Sequence, residues 1–87
     1  MREIKINKIY RHFKGDLYLV QGIATHSETG EKYVVYRALY GDAGLYIRPY
    51  EMFASPVDRE KYAAAGQEFR FQEAEIKSVK ENNNYLK

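Results

Sequence analysis

The chain has no cysteine and no tryptophan, and only two prolines and two histidines. Without cysteine there can be no disulfide staple, no thiolate nucleophile and no cysteine-bearing metal site, so stability has to come from packing. Two histidines, one ahead of the first long apolar run and one in a polar stretch, fall short of the three or four converging ligands that zinc requires, and the residues call for no metal and no cofactor. There is no long apolar run either. Met1 to Tyr10 alternates charged with apolar residues, so neither a signal peptide nor a spanning helix is expected, and the expected location is cytoplasmic, away from any membrane.

What is present fits one small domain. At 87 residues the chain is too short for two independent cores. It is 45% hydrophobic and 30% charged, with a mean hydropathy of −0.64, which suits a modest core under a solvated surface.

The formal charge of +2 and the pI of about 8.8 invite a nucleic-acid reading until the charges are placed. Residues 1–14 carry five cations against Glu3, and residues 76–87 carry three against Glu81, whereas residues 15–75 hold six cations against ten carboxylates. A body built to neutralise phosphates would show the opposite balance, since each phosphate needs its own cation. A nucleic-acid partner is therefore admitted only through a local basic patch at Lys8, Arg11, His12 and Lys14, which a solvated strand explains equally well.

Along the chain, strand signals alternate with turn signals. Residues 1–8 read as an extended amino-terminal extension, residues 9–75 as the domain and residues 76–87 as a tail with little to bury. Leu17 to Ala24 and Lys32 to Tyr40 are rich in β-formers and are separated by the polar run from Thr25 to Glu31. Gly41-Asp42-Ala43-Gly44 supplies a tight turn, Leu45 to Arg48 reads as a third strand ended by Pro49, and Tyr50 to Phe53 as one helical turn. Ser55 and Pro56 then resemble the start of a helix through Asp58 to Ala65, stopped by Gly66. Glu68 to Gln72 alternates as a last strand with Phe69 and Phe71 on one face, and a short amphipathic continuation is conceivable from Ala74 to Val79. Short strands with little helix predict a mainly β fold, a strongly bent antiparallel sheet closed or nearly closed into a small SH3-like barrel or roll, since closure removes exposed edges.

Tyr10-Arg11-His12-Phe13-Lys14-Gly15, His26-Ser27-Glu28-Thr29, Val34-Val35-Tyr36, Leu39-Tyr40-Gly41-Asp42, and Gly44-Leu45 through Arg48-Pro49 to Met52-Phe53 occur in an order that resembles the domain-of-unknown-function 1653 family of small bacterial proteins. Arg59-Glu60-Lys61-Tyr62 and Phe69-Arg70-Phe71 extend the resemblance to residues 9–72. It implies an SH3-type barrel and brings no established reaction, substrate or cofactor.

The inventory for catalysis is thin. His26-Ser27-Glu28 mimics half of a zinc-deaminase signature whose cysteine pair is absent. Gly41-Asp42-Ala43-Gly44 matches the backbone-clamping loop of KH domains, yet it joins strands rather than helices and carries an anion. A small hydrolase or transferase would have to pair His12 or His26 with Asp42 or Glu28. More distinctive are the nine tyrosines. Tyrosine offers a flat apolar face and a hydroxyl that still wants a partner, which suits the rim of a pocket or an interface. With Leu45 and Ile47 facing the core, Tyr46 and Arg48 face the other way; Met52 and Phe53 are expected to plug one end. The candidate ligand-binding set is Tyr10, Arg11, His12, Tyr36, Tyr40, Tyr46 and Arg48, in a binding module for a small molecule, a peptide or single-stranded nucleic acid. The alternatives are the enzyme above and a domain that pairs with itself or another protein.

Overall fold

The computed structural model describes residues 2–75; the tail beyond them, and most of the conceivable continuation to Val79, lie outside the described residues. Five strands and one helix follow in order: β1 (Ile9–His12), β2 (Leu17–Thr25), β3 (Lys32–Ala38), β4 (Leu45–Pro49), α1 (Tyr50–Phe53) and β5 (Phe71–Glu73). The strands form one antiparallel sheet in the order β4-β3-β2-β1-β5. This is the mainly β architecture expected, with one correction. No ladder joins β4 to β5, so among the described residues the sheet stays open and the expected closure is not made. The three residues of β5 are occupied by β1 on one side, while the amino-terminal segment lies along the other.

Turn chemistry sets where the strands stop. Gly15 at φ 114°, Gly30 at φ 79° and Gly41 at φ 56° hold backbone conformations that L-residues with side chains rarely adopt, and each falls between consecutive strands or at the end of one. Along β2 the register slips between Val20 and Gly22. Before the slip Tyr18 and Val20 oppose Ala38 and Tyr36; after it Ile23 opposes Val34. One extra residue thus switches the inward positions from even to odd numbers and keeps all three apolar side chains on the core side.

The core cluster comprises Ile4, Tyr10, Val20, Val34, Tyr36, Phe53, Ala54 and Phe71, with Tyr18, Ile23 and Tyr50 packed at its margin. Phe53 stacks on Phe71 at 4.0 Å between ring centroids and 7° between planes, while Tyr10 and Tyr36 meet Phe53 edge-on at 5.6 and 5.1 Å. The buried phenols are satisfied: Lys5 N–H donates to Tyr10 Oη at 2.9 Å and Ile4 N–H donates to Tyr50 Oη at 2.7 Å. These bonds fasten the amino-terminal extension to β1 and α1, and Ile4 enters the core. Arg2 donates from Nε to the Ala54 carbonyl at 3.1 Å and from Nη2 to the Phe71 carbonyl, with its guanidinium 4.0 Å over the Phe69 ring.

Three further expectations are corrected. The helix from Asp58 to Ala65 does not form. Asp58 Oδ1 accepts the Glu60 and Lys61 N–H groups and Tyr62 N–H reaches the Asp58 carbonyl, but the Arg59 guanidinium then takes the carbonyls of Ala65 and Gln67. Three consecutive alanines have no apolar face to pack, and so short a helix does not repay its nucleation alone. The last strand is displaced toward the carboxyl end because β1 offers its ladder from Ile9 to Phe13, whose backbone partners run from Ala74 to Arg70. Phe69 falls outside that ladder, bridging Pro56 instead. Finally, Phe53 is fully buried but Met52 is 48% exposed, so the helical turn closes the core with one side chain rather than two.

Candidate functional site

The β3–β4 register decides which tyrosines meet. Tyr36 lies opposite Tyr46 and Val34 opposite Arg48, while Val35 faces Ile47 and Arg37 faces Leu45. Residues directly opposite in an antiparallel pair project to the same side. Tyr46 and Arg48 therefore share the face of buried Val34 and Tyr36, and Leu45 and Ile47 project outward at 53% and 64% exposure. This reverses the expectation for β4. Its two aliphatic residues face solvent because the β3 ladder, anchored by the Ala38 N–H to Gly44 carbonyl bond of 2.9 Å, sets the phase against their hydropathy.

As a result His12, Tyr18, Tyr36, Tyr40, Tyr46, Arg48 and Phe71 line one cleft of ≈ 190 Å³. Each wall has a separate origin. β1 supplies His12 at its last position, β2 supplies Tyr18, β3 and the residues after it supply Tyr36 and Tyr40, β4 supplies Tyr46 and Arg48, and β5 supplies Phe71 as part of the floor. Tyr18 is the hub, with edge-on contacts to Tyr36, Tyr40 and Phe71 at 5.3, 5.6 and 5.6 Å. Its hydroxyl shares a 2.7 Å hydrogen bond with that of Tyr40. Burial, followed by this bond, pushes the Tyr18 phenol well above its ordinary pKa, so it stays a neutral donor and acceptor.

Arg48 donates from Nε to Tyr36 Oη at 3.2 Å and holds its guanidinium 5.4 Å from the Phe71 ring. Neither Asp42 nor Glu51 pairs with it: among the described residues the one ion pair is Lys5 with Glu73, 3.9 Å apart at the protein surface. Burial lowers the His12 pKa, with Arg48 the next cause and Arg70 and Lys14 adding to it. Its Nδ1 accepts the Lys14 N–H at 3.1 Å, so the neutral ring carries its proton on Nε2. Among the described residues the cleft is thus lined by aromatic faces, phenol groups and a guanidinium with no carboxylate in the lining, although Asp16 lies near enough to oppose part of the His12 shift.

Of the residues singled out in the sequence, His12, Tyr36, Tyr40, Tyr46 and Arg48 are brought together. Tyr10 is not, being 2% exposed in the core. Arg11 alternates to the opposite side of β1 from His12 and donates to the Gly15 carbonyl at 3.3 Å. Tyr18 and Phe71 were missed as cleft residues. Tyr18 had a signal, since it alternates with buried Val20. The histidine–carboxylate pairs that an enzyme would need are not formed among the described residues: His26 Nδ1 accepts the N–H groups of Glu28 and Thr29 at 3.2 and 3.3 Å, closing its own turn. No group of three or more His, Asp or Glu among the described residues is placed to hold a metal ion. Nor is any helix among them long and apolar enough to cross a membrane.

A larger depression of ≈ 550 Å³ lies elsewhere, lined by Ile23, Glu31, Lys32, Pro49, Tyr50 and Glu51. Glu31 is taken by the Tyr33 hydroxyl at 2.9 Å and Lys32 by the Thr25 hydroxyl at 2.8 Å. Size favours that depression, but convergent polar groups favour the tyrosine cleft, and specific recognition depends on the latter.

Comparison with curated proteins finds no match. A family model described as a protein of unknown function, DUF1653, matches residues 8–73. Among solved structures, the crystal structure of a DUF1653 protein from Bordetella bronchiseptica is similar at a TM-score of 0.70 and 35% identity, covering 90% of this chain and 96% of that one. Matched by the family model across its whole sheet and sharing its fold with that relative, the chain belongs to the DUF1653 family.

Proposed function

We propose that the protein is a binding module and that the tyrosine–arginine cleft receives its ligand. The observation that carries this reading is the convergence of four tyrosines with Arg48, a cation in no ion pair among the described residues. A guanidinium held by a phenol through Nε keeps its remaining N–H groups for an anion, and such charge-assisted bonds contribute about 1.5–3 kcal/mol each. The rings suit a planar group, for which stacking contributes about 1–3 kcal/mol per base in nucleic-acid binders. At ≈ 190 Å³ the cleft is smaller than the ~300 Å³ at which pockets for whole drug-sized ligands begin. It fits one ring or one anionic group of a small molecule, a peptide or a single-stranded oligonucleotide.

The test is an NMR chemical-shift titration of labelled protein with short single-stranded oligonucleotides and pooled anionic metabolites. Saturable shifts at Tyr36, Tyr40, Tyr46 and Arg48, lost in Arg48→Gln with the rest of the spectrum unchanged, are the expected result. A silent titration, or shifts confined to the depression around Ile23 and Tyr50, overturns it.

A further inference from the structure

An open sheet has two edges, and this one treats them differently. On β5 the Arg70, Gln72 and Ala74 backbone faces β1, as the bonds of Phe13 N–H to Arg70 and Ala74 N–H to Ile9 show. The N–H and C=O of Phe71 and Glu73 therefore point away from β1, and the Phe71 carbonyl is capped by the Arg2 guanidinium while the Glu73 side chain meets Lys5. That edge is covered by the chain's own amino-terminal segment.

Among the described residues nothing covers the β4 edge. The Ala38 N–H to Gly44 carbonyl bond makes Gly44, Tyr46 and Arg48 the residues bonded to β3, so the N–H and C=O of Leu45 and Ile47 point away from the sheet. Edge strands are ordinarily blunted by lysine, by inward charges or by a covering segment. Here the outward residues are Leu45 and Ile47, both more than half exposed, and the one blunting device is Pro49 at the strand's end.

We infer that the free edge of β4 pairs antiparallel with β4 of a second copy of this chain, about a two-fold axis at Tyr46. In that register Leu45 lies opposite Ile47 of the partner subunit and Ile47 opposite the partner's Leu45, so the four outward amide and carbonyl pairs of the two strands bond to one another. The same register sets two Leu–Ile contacts on the outer face. It also places Arg48 opposite the partner's Gly44, two residues from the partner's Asp42, rather than against a second cation. Moving the axis to Ile47 instead sets Leu45 against Pro49, which has no N–H and leaves a carbonyl unanswered. A charge pattern that matches itself under the two-fold, together with this pairing, favours a second copy over an unrelated strand. Five-residue edges bury less than the ~1,200 Å² of standard interfaces, which puts the dimer in the weak, concentration-dependent class. Tyr46 stands at the axis, so the two clefts would become neighbours across it.

Sedimentation equilibrium of the full chain from about 10 μM to about 1 mM spans that affinity class. The weight-average mass is expected to rise toward two chain masses, with the Leu45 and Ile47 amides gaining hydrogen-exchange protection over the same range. Ile47→Lys, at an exposed site, is expected to weaken the dimer at least about tenfold while keeping the monomer's spectrum. A monomer throughout overturns the inference, as does a dimer that leaves those amides unprotected or survives Ile47→Lys. Protection that appears only when an extended peptide is added assigns the edge to a different partner and also overturns it. None of these outcomes depends on whether the cleft binds a ligand.

Discussion

Phe53→Ala tests the core most directly. The side chain is fully buried on a four-residue helix, stacked on Phe71 and met edge-on by Tyr10 and Tyr36. Truncating a buried phenylalanine costs about 3–5 kcal/mol, the upper part applying where neighbours cannot collapse into the space. Collapse is restricted here, because Phe71 is held by the β1 ladder and by Arg2 on its carbonyl, and Tyr36 by two flanking strands. The expected loss is therefore about 4 kcal/mol, against a total of roughly 4–13 kcal/mol for 87 residues at 0.05–0.15 kcal/mol each. Phe53→Leu keeps most of the volume and loses the ring contacts, for which about 1–2 kcal/mol is expected. Urea unfolding followed by tyrosine fluorescence, with an unchanged slope, reads both losses from the midpoint. If Phe53→Ala costs under about 1 kcal/mol, α1 is not part of the core and the packing argument fails.

Other perturbations probe the margins. Arg2→Ala removes the guanidinium from two carbonyls and a ring; a loss of about 1–3 kcal/mol is expected in urea unfolding, and a change below about 0.5 kcal/mol would make the amino-terminal segment dispensable. Gly44→Ala sets a Cβ 3.0 Å from the Tyr46 hydroxyl, so the ring has to move; the expected result is an altered Tyr46 environment by NMR with little loss of stability, and an unmoved Tyr46 signal refutes the contact. His12 has a folded-state pKa below its ordinary 6.5, so the unfolded chain takes up the proton first as pH falls. Stability is then retained above about 6.5 and declines as pH drops from there through the folded value, and His12→Gln is expected to flatten that part of the profile. An unchanged profile in His12→Gln would contradict the burial argument.

Much of the sheet was legible because β-formers and glycine turns are local signals, and the strands around Tyr18, Tyr36 and Tyr46 were read from them. The cleft was partly legible for the same reason: alternation along β3 puts Val34, Tyr36 and Ala38 together without knowledge of the partner strand. What local signals misjudged was phase. In β4 the hydropathy of Leu45 and Ile47 argued inward, and only the ladder to β3 reveals that Tyr46 and Arg48 hold that side. The alanine run after Asp58 misled in the complementary way, since its helix propensity carries no information about whether a helix there would have anything to pack against. The fastening of Arg2 and Ile4 was beyond sequence reading, because their partners lie 52 and 46 positions away.

The irregularity in β2 bears on which changes the protein tolerates. Gln21 is exposed, and a substitution there alters little beyond the surface. Deleting it removes the extra residue, so the ladder would run without interruption from Tyr18 to Thr25 with Val20 and Ile23 two positions apart and both still on the core side, and the change would fall on the local twist. Deleting Leu19 is another matter, because in that regular stretch it would make Tyr18 and Val20 neighbours and turn one of them away from the core. Length is therefore constrained more tightly in the regular ladder than at its irregularity, and a deletion scan of β2 should recover chains that lack Gln21 but few that lack Leu19.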